Sequence, residues 1–566
     1  MGVAARTARA VRGFDISRFP LLGRAFDRLT AWDEAVRSRW PFSALVGPDL
    51  EPGAVEGDGS RLLVRPAILG FIAVAAMTLG ASQQRSPFVL KMPGAWFFGV
   101  PAVGQQGSHS GLFLGLVAMY GGLLLFMRVW CGLIRTLSQV PGVPVRKLVM
   151  VLALWVVPLL LAPPLFSKDI YSYAAQGEMM SHHISPYHYG PGVLGAAPSV
   201  SLVDRFWLTT PVPYGPLFMW TDGALTSVSM HHELANLVLL RLLAVVGVGL
   251  MAVAIPMLAR SLNRDPSYAF TVAILNPVTV LHLVGGAHND ALMLGLLLLG
   301  LAVARRGRPV AGIVLCSLAA AVKVPAALGV LYIGWEWMGS GLPLRARIRP
   351  VVTAGLIGFT VMAALSLATG LGWSWILNLA TPGTVRSWVA PATGLGIVLT
   401  DFAHLIGVGV PLHAMLSFTR VLGLFAAFGA GVWFLLRSDR IGSLRAMGLT
   451  LLLVVALGPV VQPWYLSWGL VLLAPVASGK VRTLIIGSSI ASAFIGLPGG
   501  RQLLHDLFTA DPLTVAVALL VCLAILTVPL NQLDREGLFA RLRRRGRGGP
   551  GAPLDEPAGV LDYAGT

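Results

Sequence analysis

From about residue 63 to residue 530 the chain is a succession of long apolar runs separated by short polar stretches. The runs are apolar all round rather than striped, which predicts helices immersed in lipid or in protein. In a bilayer only helices or closed barrels satisfy the backbone, and runs approaching ~20 residues are helices. The polar stretches alternate in kind. Lys and Arg cluster at 6–61, 135–147, 260–264, 305–308, 345–349, 437–445, 480–482 and 535–547, and the stretches between are cation-poor. The positive-inside rule makes those clusters cytoplasmic. A path that satisfies all of them has about 14 membrane passes, with both termini cytoplasmic. The passes fall near 63–83, 111–134, 148–166, 235–259, 268–286, 290–304, 309–322, 325–338, 350–371, 413–436, 446–461, 466–479, 483–499 and 512–530. Two further apolar stretches, Tyr214–Met230 and Gly394–Val410, would break this alternation if counted as passes. They are expected as extracytoplasmic or re-entrant helices.

Composition agrees with an all-α, polytopic integral membrane protein. Of 566 residues, 55% are hydrophobic and 12% charged, against about 25% charged in soluble proteins. The mean hydropathy is +0.75. A net charge of +17 is then a matter of topology and anionic lipid. No basic-aromatic module accompanies it, so no nucleic-acid partner is expected. Cys131, Cys316 and Cys522 lie scattered in apolar segments, with neither metal spacing nor a disulfide framework. The first 60 residues lack the apolar core of a signal peptide. The expected layout is a basic cytoplasmic segment (1–61), a transmembrane domain (62–534) and a basic, disordered tail (535–566). Phe14–Val36 has the pattern of an interfacial amphipathic helix.

The topology places the largest polar loop, 167–234, outside. It begins "FSKDIYSYAAQGEMM" and continues through "SPYHYGPG" and "PVPYGP". An enzyme working on that face meets no ATP, so an activated donor must come from lipid. As a helix, 168–180 gathers Asp169, Tyr173 and Gln176 on one face. Glu178, about 900° of helix away from Asp169, faces the other side. Asp169 fits a lone general base. The plainer reading is a first-turn acid that complements the helix dipole, with Ser167 as the cap.

Other polar groups sit where lipid disfavours them. Lys323, in "AVKVP", separates two apolar runs that span only about 21 Å each, against about 30 Å of hydrocarbon. A cation at that depth is a functional candidate, with a lipid phosphate as its natural anion. A snorkelling or ion-paired lysine is the alternative. His282, His288, Asn289 and Asp290 share an outer hairpin, either as a metal set, as substrate-hydroxyl ligands, or with Asp290 as a helix N-terminal acid. In "VQPWYLSW", Trp464 and Tyr465 suit an interfacial aromatic belt, or stack on sugars or a polyprenyl chain. Arg386 is the one cation of the loop 373–412, placed to meet a phosphate. Arg241 and Arg420 are expected to brace the bundle.

Taken together and in order, "FSKDIYSYAAQGEMM…SPYHYGPG", "PVPYGP", "LNPVTVLHLVGGAHNDALMLGL", "AVKVPAALGVLYIGW" and "QPWYLSWGL" resemble the actinobacterial polyprenol-phosphomannose-dependent α-1,6-mannosyltransferases of the MptA/MptB type, in the GT-C superfamily. The resemblance runs from about residue 65 to 530. The chain departs from the family at Ser185-Pro186-Tyr187, where "DPY" is common, and at Ser86–Gly99, which matches no motif. The resemblance implies transfer of mannose, with inversion, from a polyprenyl-phosphate carrier to an α-1,6-mannan on a phosphatidylinositol-anchored glycolipid. That is biosynthesis of the lipomannan or lipoarabinomannan type, at the plasma membrane. It implies no cofactor, metal or nucleotide sugar. It puts the loop aspartate on Asp169 as base. Lys323 falls on the helix break, and Lys323 with Arg386 would meet the donor phosphate. Tyr173, Gln176, His288, Asn289, Asp290, Tyr214, Trp464 and Tyr465 would hold sugar and acceptor. A GT-C transferase for polyprenyl-phosphate arabinofuranose or glucose is the alternative enzyme. A sugar or lipid transporter is the alternative outside catalysis; it predicts symmetric broken helices in two halves, and no such symmetry is evident.

Overall fold

The computed structural model describes residues 61–82, 109–494 except Arg386 and Trp388, and 512–527. The basic head and tail, Phe14–Val36 and Ser86–Gly99 lie outside the described residues. Every described element is helical. The principal helices are α1 (Arg61–Ser82), α2 (His109–Gln139), α3 (Val145–Leu161), α4 (Asp169–Ser181), α5 (Pro216–Val228), α6 (Glu233–Ser261), α7 (Pro266–Ala273), α8 (Asp290–Arg305) and α9 (Pro309–Ala320). They continue as α10 (Ala327–Glu336), α11 (Leu344–Ala368), α12 (Pro391–Leu405), α13 (Leu412–Leu436), α14 (Ser443–Leu457), α15 (Ser467–Leu473), α16 (Gly479–Phe494) and α17 (Pro512–Thr527).

Each expected pass coincides with helix, and so do the two stretches set aside as non-spanning, now α5 and α12. Length does not set α5 and α12, of 13 and 15 residues, apart from expected passes such as α9 and α14, of 12 and 15. Five helices are long and apolar enough to cross a bilayer alone: α1, α2, α6, α11 and α13. A sixth candidate is a bent pair, a broken span or a re-entrant loop, in which α7 meets a π-helical segment at Val278–Gly285 with a 54° bend. Most of the remaining apolar helices are shorter, because polar breaks divide them.

Those breaks have local causes. In "LNPV" the chain meets Pro277, which has no N–H to donate. Asn276 repairs the ladder: its Oδ1 accepts the Val278 N–H at 2.8 Å, and its Nδ2 donates to Val272 O and to Ser489 Oγ. At Lys323 the helix α9 ends before Pro325. Its last carbonyls are taken by the "PVPYGP" loop, with Gly215 N–H on Val322 O and Leu217 N–H on Ala321 O, both 3.0 Å. Only glycine allows this approach, since a Cβ at Gly215 would lie 2.2 Å from Ala321 O. The end of α3 is closed by Arg241 of α6, fully buried, which donates to Leu159 O at 2.8 Å and to Ala162 O. Arg420 braces likewise, onto Thr393 Oγ1, Gly383 O and Val385 O. Both arginines therefore serve the bundle as expected.

The helices α6 and α8 cross backbone to backbone at Gly247 and Gly295, where a Cβ on Gly247 would meet Ala291 and Leu292 within 2.5 Å. This crossing gives the bundle two functional ends. At one end the basic clusters converge. Arg305 reaches Ser261, Glu336 and Ser443; Arg347 donates to Asp439 at 2.6 Å; Gly142 N–H meets Asp265 at 3.0 Å. The other end of α8, about 24 Å away along 16 residues, holds Asp290.

Candidate active site

The loop after α3 is anchored first. Leu165 N–H donates to Gly285 O at 2.9 Å, at the end of the π-helical segment. Phe166 then adopts a left-handed conformation (φ 64°) and packs on the His282 ring at 5.2 Å. A non-glycine residue held there is strained, as is common beside functional sites. Ser167 Oγ accepts the Asp169 N–H at 3.0 Å, so the serine does cap the helix start. That bond uses the backbone of Asp169, and the Ser167 hydroxyl also reaches the Asp169 carboxylate, favouring its ionised form.

The carboxylate keeps 18% of its side-chain surface accessible, and Oδ2 lies 3.6 Å from His288 Nδ1. Asp169 opens α4, which is not among the candidate spans. Burial pushes its carboxyl up to about 6; the Lys323 charge pulls it down and the Asp290 charge pushes it up. A base with that value is about nine-tenths ionised at pH 7. Its proton-free form is lost as pH falls through 6. Turnover is therefore expected to drop about tenfold per pH unit below 6, measured as kcat/KM across pH 4.5–8 in one buffer series. A rate flat down to pH 4.5 would contradict this assignment.

His288 is fully buried and stacked on Trp464, with centroids 3.9 Å apart and planes at 18°. Asp290 opens α8 as its first-turn acid, so its dipole role is real. It also does more. Lys323 Nζ donates to both of its oxygens at 2.9 Å, and Trp468 Nε1 donates to Oδ1 at 2.5 Å. Lys323 is enclosed by the rings of Tyr465, Trp468 and Tyr214, at 4.4, 5.3 and 5.6 Å. The lysine is thus ion-paired, the alternative weighed for it from the sequence, and caged by aromatic faces.

Tyr173 packs edge-on against Tyr214 and Phe218, and Tyr187 Oη donates to Tyr214 O at 3.0 Å, pinning "SPY" to "PVPYGP". Gln176 is buried on the same face of α4. The Gln176 Oε1, both side-chain polar atoms of Asn289, both ring nitrogens of His288, and the Trp464 Nε1 are buried without a hydrogen-bond partner among the described residues. Buried polar atoms are normally paired. These atoms lie on the segments that carry Asp169, Asp290 and the aromatic cage, where a polar ligand would satisfy them.

Glu178 belongs elsewhere, as its helical phase required. It accepts His231 Nδ1 at 2.9 Å and meets His182 Nε2 at 3.1 Å, clipping α4 to the turn before α6. Arg386 lies outside the described residues, although Arg420 holds the carbonyls of Gly383 and Val385 just before it. Among the described residues no three His, Cys, Asp or Glu side chains converge as a metal set. Sequence reasoning missed Trp468, whose indole completes the Asp290 cage. The quoted "QPWYLSWGL" contains it, one turn after Trp464 and Tyr465, which was the available signal.

Fold and site together define a multi-pass membrane protein with a carboxylate, a caged lysine and a wall of aromatic rings around orphaned polar groups. Comparison with known sequences narrows the class. Residues 67–339 match the family described as alpha-(1->6)-mannopyranosyltransferase, N-terminal domain, and residues 392–527 match the MptB C-terminal domain. The chain is 31% identical over 537 residues to a probable alpha-(1->6)-mannopyranosyltransferase of Mycolicibacterium smegmatis, covering 88% of this chain and 92% of that one. It is 31% identical to alpha-(1->6)-mannopyranosyltransferase A of Mycobacterium tuberculosis, over 91% of this chain and 97% of that one. It is 33% identical to alpha-(1->6)-mannopyranosyltransferase B of Corynebacterium glutamicum, over 62% of each. The chain belongs to the alpha-(1->6)-mannopyranosyltransferase family, and it is a membrane glycosyltransferase.

Proposed function

We propose that the protein transfers mannose from a polyprenyl-phosphate donor to a hydroxyl of a lipid-anchored α-1,6-mannan, with inversion. The observation that carries this reading is the grouping of one raised-pKa carboxylate, Asp169, with the caged Lys323 among sugar-stacking rings. Its relatives are named for mannopyranosyl transfer. In the reaction the acceptor oxygen attacks the anomeric carbon as the bond from that carbon to the phosphate oxygen breaks. The hydroxyl proton passes to Asp169, and the departing polyprenyl phosphate gains one negative charge. Lys323 stands to neutralise that charge, and Asp290 holds the lysine until it arrives. Arg386 is the second phosphate contact. Tyr173, Gln176, Tyr214, His288, Asn289, Trp464 and Tyr465 orient donor sugar and acceptor. A single in-line displacement requires one base, consistent with Glu178 being committed to histidines.

The active end faces the outside of the plasma membrane, where lipid supplies the activated donor. Convergence of the Arg305, Arg347 and Asp265 clusters on the opposite end supports that orientation. In this reading 62–534 is the transmembrane domain with about 14 passes, 167–234 is its outer catalytic loop, and 1–61 and 535–566 are cytoplasmic. The direct test is a donor panel. Purified protein in detergent receives polyprenyl-phosphate mannose, glucose or arabinofuranose with a mannan acceptor, and the product linkage is determined. α-1,6-Mannosyl product from the mannose donor alone is expected. Product from glucose or arabinose instead would replace the donor, and no product from any would favour transport.

A further inference from the structure

A cavity of about 550 Å³ opens at the end of the bundle opposite Asp169, where α6, α8, α10 and α14 come together. Its polar wall is Ser261, Arg305, Glu336 and Ser443, and its apolar wall includes Ile333 and Met447. The reaction described above uses none of these residues. Arg305 is held in place but not consumed. Its Nε donates to Ser261 Oγ at 3.2 Å; its Nη1 lies 3.5 Å from both Ser443 Oγ and Glu336 Oε2. These are long contacts for a guanidinium, whose charge-assisted bonds normally measure about 2.7–2.9 Å. Its Nη2 has no acceptor among the described residues. Tyr332 lines the same cavity, buried, with its hydroxyl turned to Thr450. The Arg305 and Glu336 side chains keep 28% and 38% of their surface, so a ligand can reach both.

We propose that this cavity binds the headgroup of an anionic phospholipid, a phosphodiester carrying a hydroxylated alcohol. The phosphate takes the open edge of Arg305 in the paired geometry that guanidinium favours. Ser443, whose oxygen only accepts from Arg305, supplies a hydroxyl to its oxygens, while Ser261 is spent on Leu258 O and holds Arg305 in place. Glu336 has acceptor capacity only, and it takes hydroxyls of the headgroup alcohol. The volume is that of a small-molecule site and exceeds what one phosphate fills. Membrane lipid is the source because, in the orientation proposed above, the basic clusters put this end at the cytoplasmic boundary of the bilayer. Val310 and Met338 beside it are 50% and 67% exposed, and the basic residues Arg306 and Arg308 flank it.

The test uses the full chain in nanodiscs. Native mass spectrometry is expected to retain one phosphatidylglycerol per chain from mixed phosphatidylglycerol and phosphatidylcholine. Arg305→Gln should lower that retention at least tenfold, whereas Arg349→Gln, at an exposed arginine that does not line the cavity, should not. Equal losses in the two variants would reduce the site to surface charge and overturn the proposal. Soluble glycerol phosphate should not displace the lipid at millimolar concentration; displacement, or binding of the soluble ester alone, would overturn the lipid assignment. A melting curve in neutral lipid checks that Arg305→Gln is folded. Should it unfold, Glu336→Gln decides. That variant keeps the arginine and should erase the preference for phosphatidylglycerol over phosphatidic acid. An unchanged preference there would also sink the proposal.

Discussion

Replacing Asp169 with asparagine is expected to lower mannosyl transfer about 10²–10⁴-fold, the usual contribution of a general base, while leaving the protein folded. The side chains are nearly isosteric. The cap from Ser167 uses the Asp169 backbone N–H, which the substitution keeps. The neighbouring His288 Nδ1 is 3.6 Å from the carboxylate, beyond a hydrogen bond. The loss therefore falls on chemistry, since an amide cannot take the acceptor's proton. Linkage adds a second readout. The folded carboxyl, at about 6, lies above its ordinary value of 3.8, so the fold disfavours its ionised form. That cost is absent below the unfolded pKa and complete once pH rises through 6. Asp169→Asn should thus melt no lower than the parent at pH 7, and it should lose the parent's pH dependence of activity near 6. A melt well below the parent would assign the residue a structural role. Near-normal turnover in a folded variant would remove Asp169 as base. A group that costs stability yet stands at the reacting end is what a trade between stability and activity predicts.

The two residues at the ends of α4 show how far the sequence could be read. Asp169 and Glu178 were separable in advance, because helical phase is a property of one segment. Local helices were legible for the same reason: continuous apolarity needs no partner to be recognised. Pairings across the chain were not. Lys323 meets Asp290 across 33 positions and Trp468 meets Asp290 across 178, and no periodicity encodes either distance. The number of full spans was likewise hidden. A broken helix and an intact one have similar hydropathy, and only the three-dimensional bend at Asn276-Pro277, or the carbonyls taken by Gly215 and Leu217, distinguishes them. His182 could have been paired with Glu178 from its i,i+4 spacing; His231, which makes the shorter contact, arrives from 53 positions away.

Lys323 requires a pair of variants, because one alone gives an ambiguous answer. Lys323→Met removes the cation facing the departing phosphate, and loss of one such preorganised charge commonly costs about 10²–10³-fold in rate. It also strands Asp290, fully buried with only the Trp468 indole left to it. Breaking a buried ion pair from one side costs about 3–5 kcal/mol in soluble proteins, so the single variant is expected to express poorly. Lys323→Met combined with Asp290→Asn removes both charges, and the asparagine can still accept from Trp468. The double variant should recover expression and melting temperature. Its transfer rate should stay at least 10²-fold down, with the deficit growing as polyprenyl-phosphate mannose is lowered and insensitive to acceptor concentration. The two roles separate here. A lysine that only neutralises Asp290 becomes dispensable once the aspartate is gone, and the double variant would then turn over like the parent. A lysine that moves from Asp290 to the phosphate stays missed, however well the fold recovers. The aromatic cage supports that second role: Tyr465, Trp468 and Tyr214 stabilise a cation whichever anion it faces. Exchange of a carboxylate for a phosphate partner can then take place without the charge ever standing bare in the bundle.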